Sequence, residues 1–243
     1  MRSAAAASRG VVAYAGGMGE TTTEPTRGAV FLEALGAEAE RLHPEILAQL
    51  RQAGRTGRAE GVFRIAGSRF GRTAALARPV VGPRLLVTAR GSDVPFTLTT
   101  VSGRTGSGRA TLDTTREFRF RGGSQVIVDR LTASVRPGLV RNLLGSRGRV
   151  ELIEACSVTP EGFLRMMTVR VALRVRGRRI ALPRALGVRV DLVDGWDETH
   201  RRRTIDMRAV NPLFGTVLEY RGWYREAAES PTDARASAGA QYE

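Results

Sequence analysis

After Arg55, apolar and polar residues alternate in one short segment after another. In Phe118-Arg119-Phe120-Arg121, for example, aromatic and basic side chains occupy alternate positions. Side chains of an extended strand point alternately to the two faces of its sheet, so a period of two is typical of strands with one apolar and one solvated face. The pattern predicts strands over residues 59–65, 84–88, 95–101, 109–121, 125–135, 149–158, 163–175, 178–181, 188–193, 199–210 and 216–224.

Turn-forming residues separate several of these segments. Thr159-Pro160-Glu161-Gly162 has proline second and glycine fourth, as a type I turn prefers, and Asp194-Gly195 is a common two-residue hairpin sequence. Because no helices alternate with the strands, we predict a mainly β (α+β) fold in which an antiparallel meander curls into a barrel or half-barrel. A helix-grip type of sheet, wrapped on a helix, is the alternative. Residues 72–77 and 139–144 are predicted to be short helices or loops across an open edge.

Two short helices are predicted before the strands, because apolar residues recur at helical spacing between residues 29 and 53. Pro44 disfavours helical backbone at His43 and suits a first helical position, so the helices should meet near His43. Residues 1–28 and 227–243 have no sustained period and are predicted to be disordered tails. Residues 29–226 would then form a single β-rich domain.

All lysine-or-arginine positions of the chain are arginine. The formal net charge is +14, and none of the 38 basic residues is lysine. In residues 168–175 the pattern places Val169, Val171, Leu173 and Val175 on one face and the arginines on the other. A sheet with one solvated face has this pattern without any ligand, and no recognition helix, zinc finger or aromatic platform accompanies it. Nonspecific nucleic-acid binding through the arginine-rich faces is therefore the less favoured interpretation.

Several classes of protein are disfavoured by what the sequence lacks. A single cysteine, Cys156, permits no internal disulfide and no four-cysteine zinc site, and ELIEACSV around it suggests a buried thiol. No stretch approaches the roughly 20 apolar residues of a membrane span. We therefore predict a cytoplasmic protein without a membrane span, and no catalytic motif, metal site or cofactor is predicted.

One polar group near the end of the chain is a candidate ligand site. In TVLEYRGWY, Val217, Glu219, Arg221 and Trp223 share one face, and Leu218, Tyr220 and Tyr224 share the other. If the first face looks into the barrel, Arg221 would receive an anionic group, with Glu219 and Trp223 beside it. Arg221, Trp223 and Glu219 are therefore the three predicted ligand-binding residues. If it looks outward, Glu219 and Arg221 form a surface pair covered by Trp223.

Taken in order, FLEALGAEAERLHPEI, TTREFRFRGG, VTPEGFLRMMTVRVAL and NPLFGTVLEYRGWYRE resemble the uncharacterised bacterial family called domain of unknown function 4166. The resemblance covers residues 30–226, and its most specific segments are Leu42-His43-Pro44 and Gly215 with Tyr220-Arg221-Gly222-Trp223. It supports the domain boundaries and gives Arg221 and Trp223 more weight, but it implies no reaction. Family members also occur as extensions of dehydrogenases, which implies an accessory role beside a separate oxidoreductase.

The favoured function is a noncatalytic binding module that accepts a lipophilic, anionic small molecule inside the barrel, as a monomer or a homodimer. One alternative is an enzyme whose acid-base groups, first of all His43, Asp206 and Glu219, are brought together only by the fold. The other alternative is the nucleic-acid binding described above. The edges of an incomplete barrel would favour pairing into a dimer.

Overall fold

The structure is a computed structural model, and it describes residues 26–71, 73 and 78–227. The predicted tails lie outside the described residues except for residues 26–28 and 227. The predicted interruption at residues 72–77 is described only at Thr73.

Two short helices precede the strands, as predicted. Helix α1 spans Ala29–Leu35, a 3-10 segment spans Gly36–Arg41, and α2 spans Pro44–Arg51. His43 caps the N-terminus of α2, because its Nδ1 accepts a hydrogen bond of 3.3 Å from the backbone N–H of Glu45. Proline at the first helical position follows it directly, where its missing N–H costs nothing.

Within the described residues, the remaining elements are a four-residue helix and eleven strands. Helix α3 spans Arg78–Val81. The strands are β1 (Thr56–Gly67), β2 (Arg90–Arg104), β3 (Ala110–Phe120), β4 (Gly123–Ala133), β5 (Leu139–Leu144), β6 (Val150–Val158), β7 (Leu164–Val175), β8 (Arg178–Ala181), β9 (Arg189–Asp197), β10 (Arg202–Asn211) and β11 (Gly215–Glu226).

Ten of these strands form a closed antiparallel barrel. Sequential strands pair from β1 to β7, then β7 pairs with β9, and the ring continues through β10 and β11 back to β1. The short β8 pairs with β7 in a hairpin outside the ring. The predicted mainly β fold is confirmed, and of the two predicted forms the structure is the closed barrel. Closure pairs the strand edges that a half-barrel would expose.

Two predicted segments have a different structure. Residues 139–144 are not a helix or a loop but β5, which pairs with β4 on one side and β6 on the other. Polar Asn142 occupies an inward position of this strand and hides its alternation. Residues 84–88 form no strand, because the chain there belongs to the long connection between β1 and β2.

The hairpin predicted at Asp194-Gly195 is also wrong, although the turn predicted at residues 159–162 forms with a hydrogen bond of 3.0 Å from Gly162 N–H to the Thr159 carbonyl. Asp194 and Gly195 lie inside β9, and the turn follows at residues 198–201. Gly195 is needed there for packing, because a Cβ atom would lie 2.9 Å from both Phe163 and Thr204.

A β-bulge changes which residues of β7 face inward. Ile153 pairs with Arg170 and Glu154 pairs with Thr168, so Val169 is left without a partner in the ladder. Its side chain is 63% exposed, whereas the alternation predicted an apolar inward position. Val175, beyond the end of the buried part of β7, is exposed as well. The extra residue shifts the alternation by one position, and sequence alternation alone cannot reveal it.

The two ends of the barrel differ. At the helix end, α1 and the segment before α2 bind to strand connections: Gly138 N–H donates to the Ala34 carbonyl at 2.8 Å and His43 N–H donates to the Gly162 carbonyl at 2.7 Å. The opposite end, here called the loop end, consists of residues 68–71, 73, 78–89, 121–122, 145–149, 176–188 and 212–214.

Two clusters fill the space between the ends. One joins the helices to the parts of β3–β7 nearest the helix end and includes Ile46, Val140 and Leu164. The other contains stacked aromatic rings from neighbouring strands, with Phe63 at 3.8 Å from Phe96 and 5.3 Å from Phe118 between ring centroids. The same cluster continues onto β11, where the Tyr220 ring lies 4.9 Å from that of Phe63 between centroids.

The seam between β1 and β11 depends on a glycine. A Cβ atom on Gly222 would lie 2.1 Å from the carbonyl oxygen of Val62 and 2.7 Å from the Cα of Phe63. We expect Gly222→Ala to lower the free energy of unfolding by at least about 2 kcal/mol, because the strands would have to separate. Gly106→Ala is the control, since a Cβ there meets nothing within 4 Å. Urea denaturation checks both variants, and equal stability of the two would contradict this account of the seam.

Candidate functional site

A cavity of about 920 Å³ runs through the barrel. Phe31 and Leu50 line it at the helix end, and Phe70, Leu186 and Phe214 line it at the loop end. Most of the wall between them is aliphatic and comes from inward positions of the strands. The size falls within the range of about 300–1,000 Å³ that is typical of small-molecule sites.

Polar side chains form one group on the inner wall of β3–β6. Asp129 accepts hydrogen bonds from Thr114 Oγ1 at 2.5 Å and from Arg116 Nη1 at 2.8 Å. Glu154 accepts one from Asn142 Nδ2 at 3.0 Å. All five residues line the cavity, and we call them the inner polar group.

Arg116 is the cationic member of the inner polar group. Its side chain is 16% exposed and that of Asp129 only 3%, so the ion pair lies well inside the protein. An arginine has five N–H donors, and the buried Nε of Arg116 has no hydrogen-bond partner in the described structure. A buried donor without an acceptor is unfavourable by about 1–3 kcal/mol, so this wall of the cavity favours a ligand with an acceptor oxygen.

Glu154 is the acidic member of the inner polar group whose pKa is raised by burial. Burial raises the pKa of Glu154 to about 7; the hydrogen bond from Asn142 opposes the rise, the charge of Asp129 adds to it and that of Arg116 opposes it. Near neutral pH the side chain is thus partly protonated. In the protonated form it donates a hydrogen bond, and in the ionised form it adds negative charge beside Asp129.

A second polar cluster lies near the helix end and is fully occupied by its own partners. Arg203 donates to both oxygens of Asp194, at 3.1 and 2.6 Å, and to Gln49 of α2 at 3.0 Å. The Tyr224 hydroxyl lies 2.9 and 2.8 Å from the same two carboxylate oxygens. These contacts join α2 to β9, β10 and β11, so this cluster holds the helix on the barrel.

The three residues predicted to bind ligand lie on the outer face of β11. Glu219 accepts a hydrogen bond of 2.7 Å from Arg90, Arg221 pairs with Asp206 at 2.8 Å, and Trp223 lies under the guanidinium of Arg202 at 4.5 Å. The alternate residues Leu218, Tyr220 and Tyr224 line the cavity instead. The binding role of the three outer residues stays a prediction, and a ligand held by them would lie outside the barrel.

The acid-base candidates have separate partners in the structure. His43 Nε2 lies 2.8 Å from Glu198 and its ring stacks on Trp196, while Asp206 pairs with Arg221 and Glu219 with Arg90. Cys156 is buried, and burial together with the charge of Glu154 raises the pKa of its thiol to about 12, so it is protonated at neutral pH.

Sequence reasoning missed the inner polar group, although a signal for it was present. Thr114 and Arg116 have the same parity as the buried Leu112 and Phe118, and Asp129 has the same parity as Ile127 and Leu131. Polar residues thus interrupt the apolar face on successive strands of one sheet. That coincidence becomes visible only when strand order is known.

Among residues 26–71, 73 and 78–227, no three histidine, cysteine, aspartate or glutamate side chains are grouped so that they could hold a metal ion. Within the same ranges, no helix has the length and apolar character needed to cross a bilayer.

The raised pKa of Glu154 gives a pH-dependent test. A carboxyl group whose pKa is higher in the folded state makes the free energy of unfolding fall as the pH rises. For Glu154 this fall extends from the unfolded pKa of about 4.5 to the folded pKa of about 7. Glutamine has no charge to bury, so Glu154→Gln should be more stable than the unchanged protein above pH 8, by on the order of 3 kcal/mol, and more stable by less than about 1 kcal/mol at pH 5. Urea denaturation at both pH values measures the difference, and Glu60→Gln on the exposed face of β1 is the control. An equal effect of both variants would refute the assignment.

Comparison with known proteins gives a family but no activity. A family model described as "Domain of unknown function (DUF4166)" matches residues 42–224. "Uncharacterized protein YndH" from Bacillus subtilis (strain 168) is 22% identical over 143 residues, which are 59% of this chain and 70% of YndH. No solved structure matches the chain with statistical significance. Since the family model covers most of the barrel, from the residue before His43 to Tyr224 in β11, the chain belongs to the DUF4166 family.

Proposed function

We propose that this protein is a noncatalytic binding module that holds a lipophilic small molecule with an anionic head group inside the barrel. The observation that carries the proposal is the cavity of about 920 Å³, whose mostly aliphatic wall contains a buried arginine with an unsatisfied donor. The walls suit an apolar tail, and Arg116 suits a carboxylate or another acceptor at one end of it.

The apolar wall supplies the affinity in this proposal. Each square ångström of apolar surface removed from water contributes roughly 25 cal/mol. Residues such as Leu152, Val171 and Leu192 line the cavity without filling it, so a ligand tail would gain contacts that no side chain makes. A chain of methylene groups fits this wall better than a polar ligand, because the wall offers few hydrogen-bond partners away from the inner polar group.

The inner polar group supplies the orientation. Arg116 donates one hydrogen bond to Asp129, and among the described residues its Nε has no acceptor, whereas each guanidinium nitrogen of Arg203 donates to Asp194 or Gln49. Charge-assisted hydrogen bonds from a guanidinium to a carboxylate are about twice as strong as neutral ones. The head group is therefore expected beside Arg116 on β3, and Glu154 in its protonated form would be the second donor.

The fluorescence of cis-parinaric acid, which increases in apolar surroundings, tests the recognition of the head group. We expect the acid to bind about tenfold more tightly than its methyl ester, since only the acid offers a carboxylate to Arg116. Replacing the pair together, by Arg116→Gln with Asp129→Asn, avoids leaving a buried charge alone and should abolish this preference.

Arg221→Ala is the matched control for that experiment, because it removes an arginine from the outer face and also tests the prediction made from the sequence. We expect it to leave both affinities unchanged. A preference for the acid that persists in the Arg116 and Asp129 double variant would remove Arg116 from the site. Failure of the acid and the ester to bind at all would refute the proposed cavity function.

Native mass spectrometry of gently purified protein tests whether a ligand is carried from the cell. We expect a mass excess that disappears on denaturation, and extraction should yield an amphipathic compound with an acidic group. The double variant at Arg116 and Asp129 should retain less of it. A released compound that is polar throughout would contradict the proposal, because the aliphatic wall could not accommodate it.

A further inference from the structure

The loop end of the barrel has an unbalanced positive charge. The described residues that form it, 68–71, 73, 78–89, 121–122, 145–149, 176–188 and 212–214, include no aspartate or glutamate. The arginines with described side chains in them are Arg69, Arg84, Arg121, Arg147, Arg149, Arg176, Arg178, Arg179 and Arg184. Among these nine residues, and within the part of the chain that the structure describes, only Arg179 pairs with a carboxylate, that of Glu151 at 2.6 Å.

The helix end has no such imbalance. Its arginines are interspersed with glutamates, and the structure pairs Arg51 with Glu40, Arg41 with Glu38 and Arg201 with Glu45. Both ends belong to the same arginine-only chain, so a general preference for arginine does not explain the difference. The excess positive charge is a property of one end of the barrel.

Large apolar side chains are exposed within the same basic end. Leu213 and Phe214 in the β10–β11 turn are each 64% exposed, and Leu186 is 59% exposed. Phe70 makes an edge contact with Phe214 at 6.4 Å between ring centroids, and Val80 of α3 is exposed as well. Phe70, Val80, Leu186 and Phe214 also line the cavity, so the cavity reaches the surface among them.

We propose that the loop end docks on an anionic lipid bilayer. Leu213, Phe214 and Leu186 would enter the region below the head groups, and the surrounding arginines would contact lipid phosphates. A surface with apolar side chains inside a basic border matches a membrane interface, which is apolar in depth and negatively charged at its surface. A nucleic acid would use the arginines but would leave the exposed aliphatic side chains in water.

Docking in this orientation would bring the mouth of the cavity to the acyl chains. A lipophilic ligand would then move between bilayer and barrel without crossing water, whose contact with apolar surface is unfavourable. This consequence rests on the proposed function, but the docking itself does not. Binding to vesicles and binding of a ligand in the cavity are therefore measured separately, and either can fail without the other.

Vesicle flotation tests the docking. The full chain is mixed at physiological ionic strength with vesicles of phosphatidylcholine alone, or of phosphatidylcholine and phosphatidylglycerol in equal parts. We expect the protein to float with the mixed vesicles and to remain below with the neutral ones, because the arginines need anionic head groups. Raising the salt concentration should weaken the binding, since exposed charges are screened.

Two double variants separate the contributions of charge and apolar surface. Arg176→Glu with Arg178→Glu should weaken binding to the mixed vesicles by at least about tenfold, as should Leu213→Ser with Phe214→Ser. Two variants at the helix end are the controls. Arg136→Glu with Arg201→Glu makes the same change in charge as the arginine pair, and Val135→Ser removes an apolar side chain that is 78% exposed. These matched controls should bind as the unchanged protein does. Circular dichroism verifies that each variant is folded.

The outcomes are distinct. Loss of binding in the loop-end variants alone supports the docking surface. Equal binding to neutral and mixed vesicles, or an equal loss in the helix-end controls, overturns it. The proposal is also overturned if the protein binds neither kind of vesicle but binds duplex DNA, and loses that binding in the Arg176 and Arg178 variant. The loop end would then be a nucleic-acid surface.

Discussion

Closure of the barrel is the constraint on which the rest of the structure depends. The β1–β11 and β6–β7 pairings join the strands of the meander into a ring, and the ring encloses the space that becomes the cavity. Gly222 permits the close approach of β11 to β1, and the bulge at Val169 accommodates the pairing of β7 with β6. Without these two seams the inward polar residues would face solvent, and the pKa of Glu154 would not be raised by burial.

Enclosure also explains why two similar ion pairs have different consequences. Arg203 is satisfied by Asp194 and Gln49, and so it serves to hold α2 on the barrel. Arg116 donates to Asp129, but its Nε has no partner among the residues that the structure describes, and so one donor is left without an acceptor. For Arg203, protein groups alone offset the cost of burying the charge. For Arg116, we propose that a ligand supplies the missing hydrogen-bond acceptor.

The two ends of the barrel differ in chemistry as well as in structure. The helix end carries mixed charges that pair with one another, and the loop end carries arginines around exposed apolar side chains. A cavity that reaches the surface at the loop end, with its charged group at mid-height, gives the proposed ligand a direction: head group inward at Arg116 and tail toward Phe214. The accessory role beside an oxidoreductase stays a prediction.

By itself, the sequence determined the strand-rich architecture, the helix boundary at His43 and most strand positions, because alternation and turn residues act over a few neighbouring positions. Tertiary structure alone decided barrel closure, the strand at residues 139–144 and the outward position of Arg221. Strand partners, bulges and the inward face depend on residues far apart in the chain. For the same reason Arg116, Asp129 and Glu154, which are unremarkable in three separate segments, became one site only when β3, β4, β5 and β6 were placed side by side.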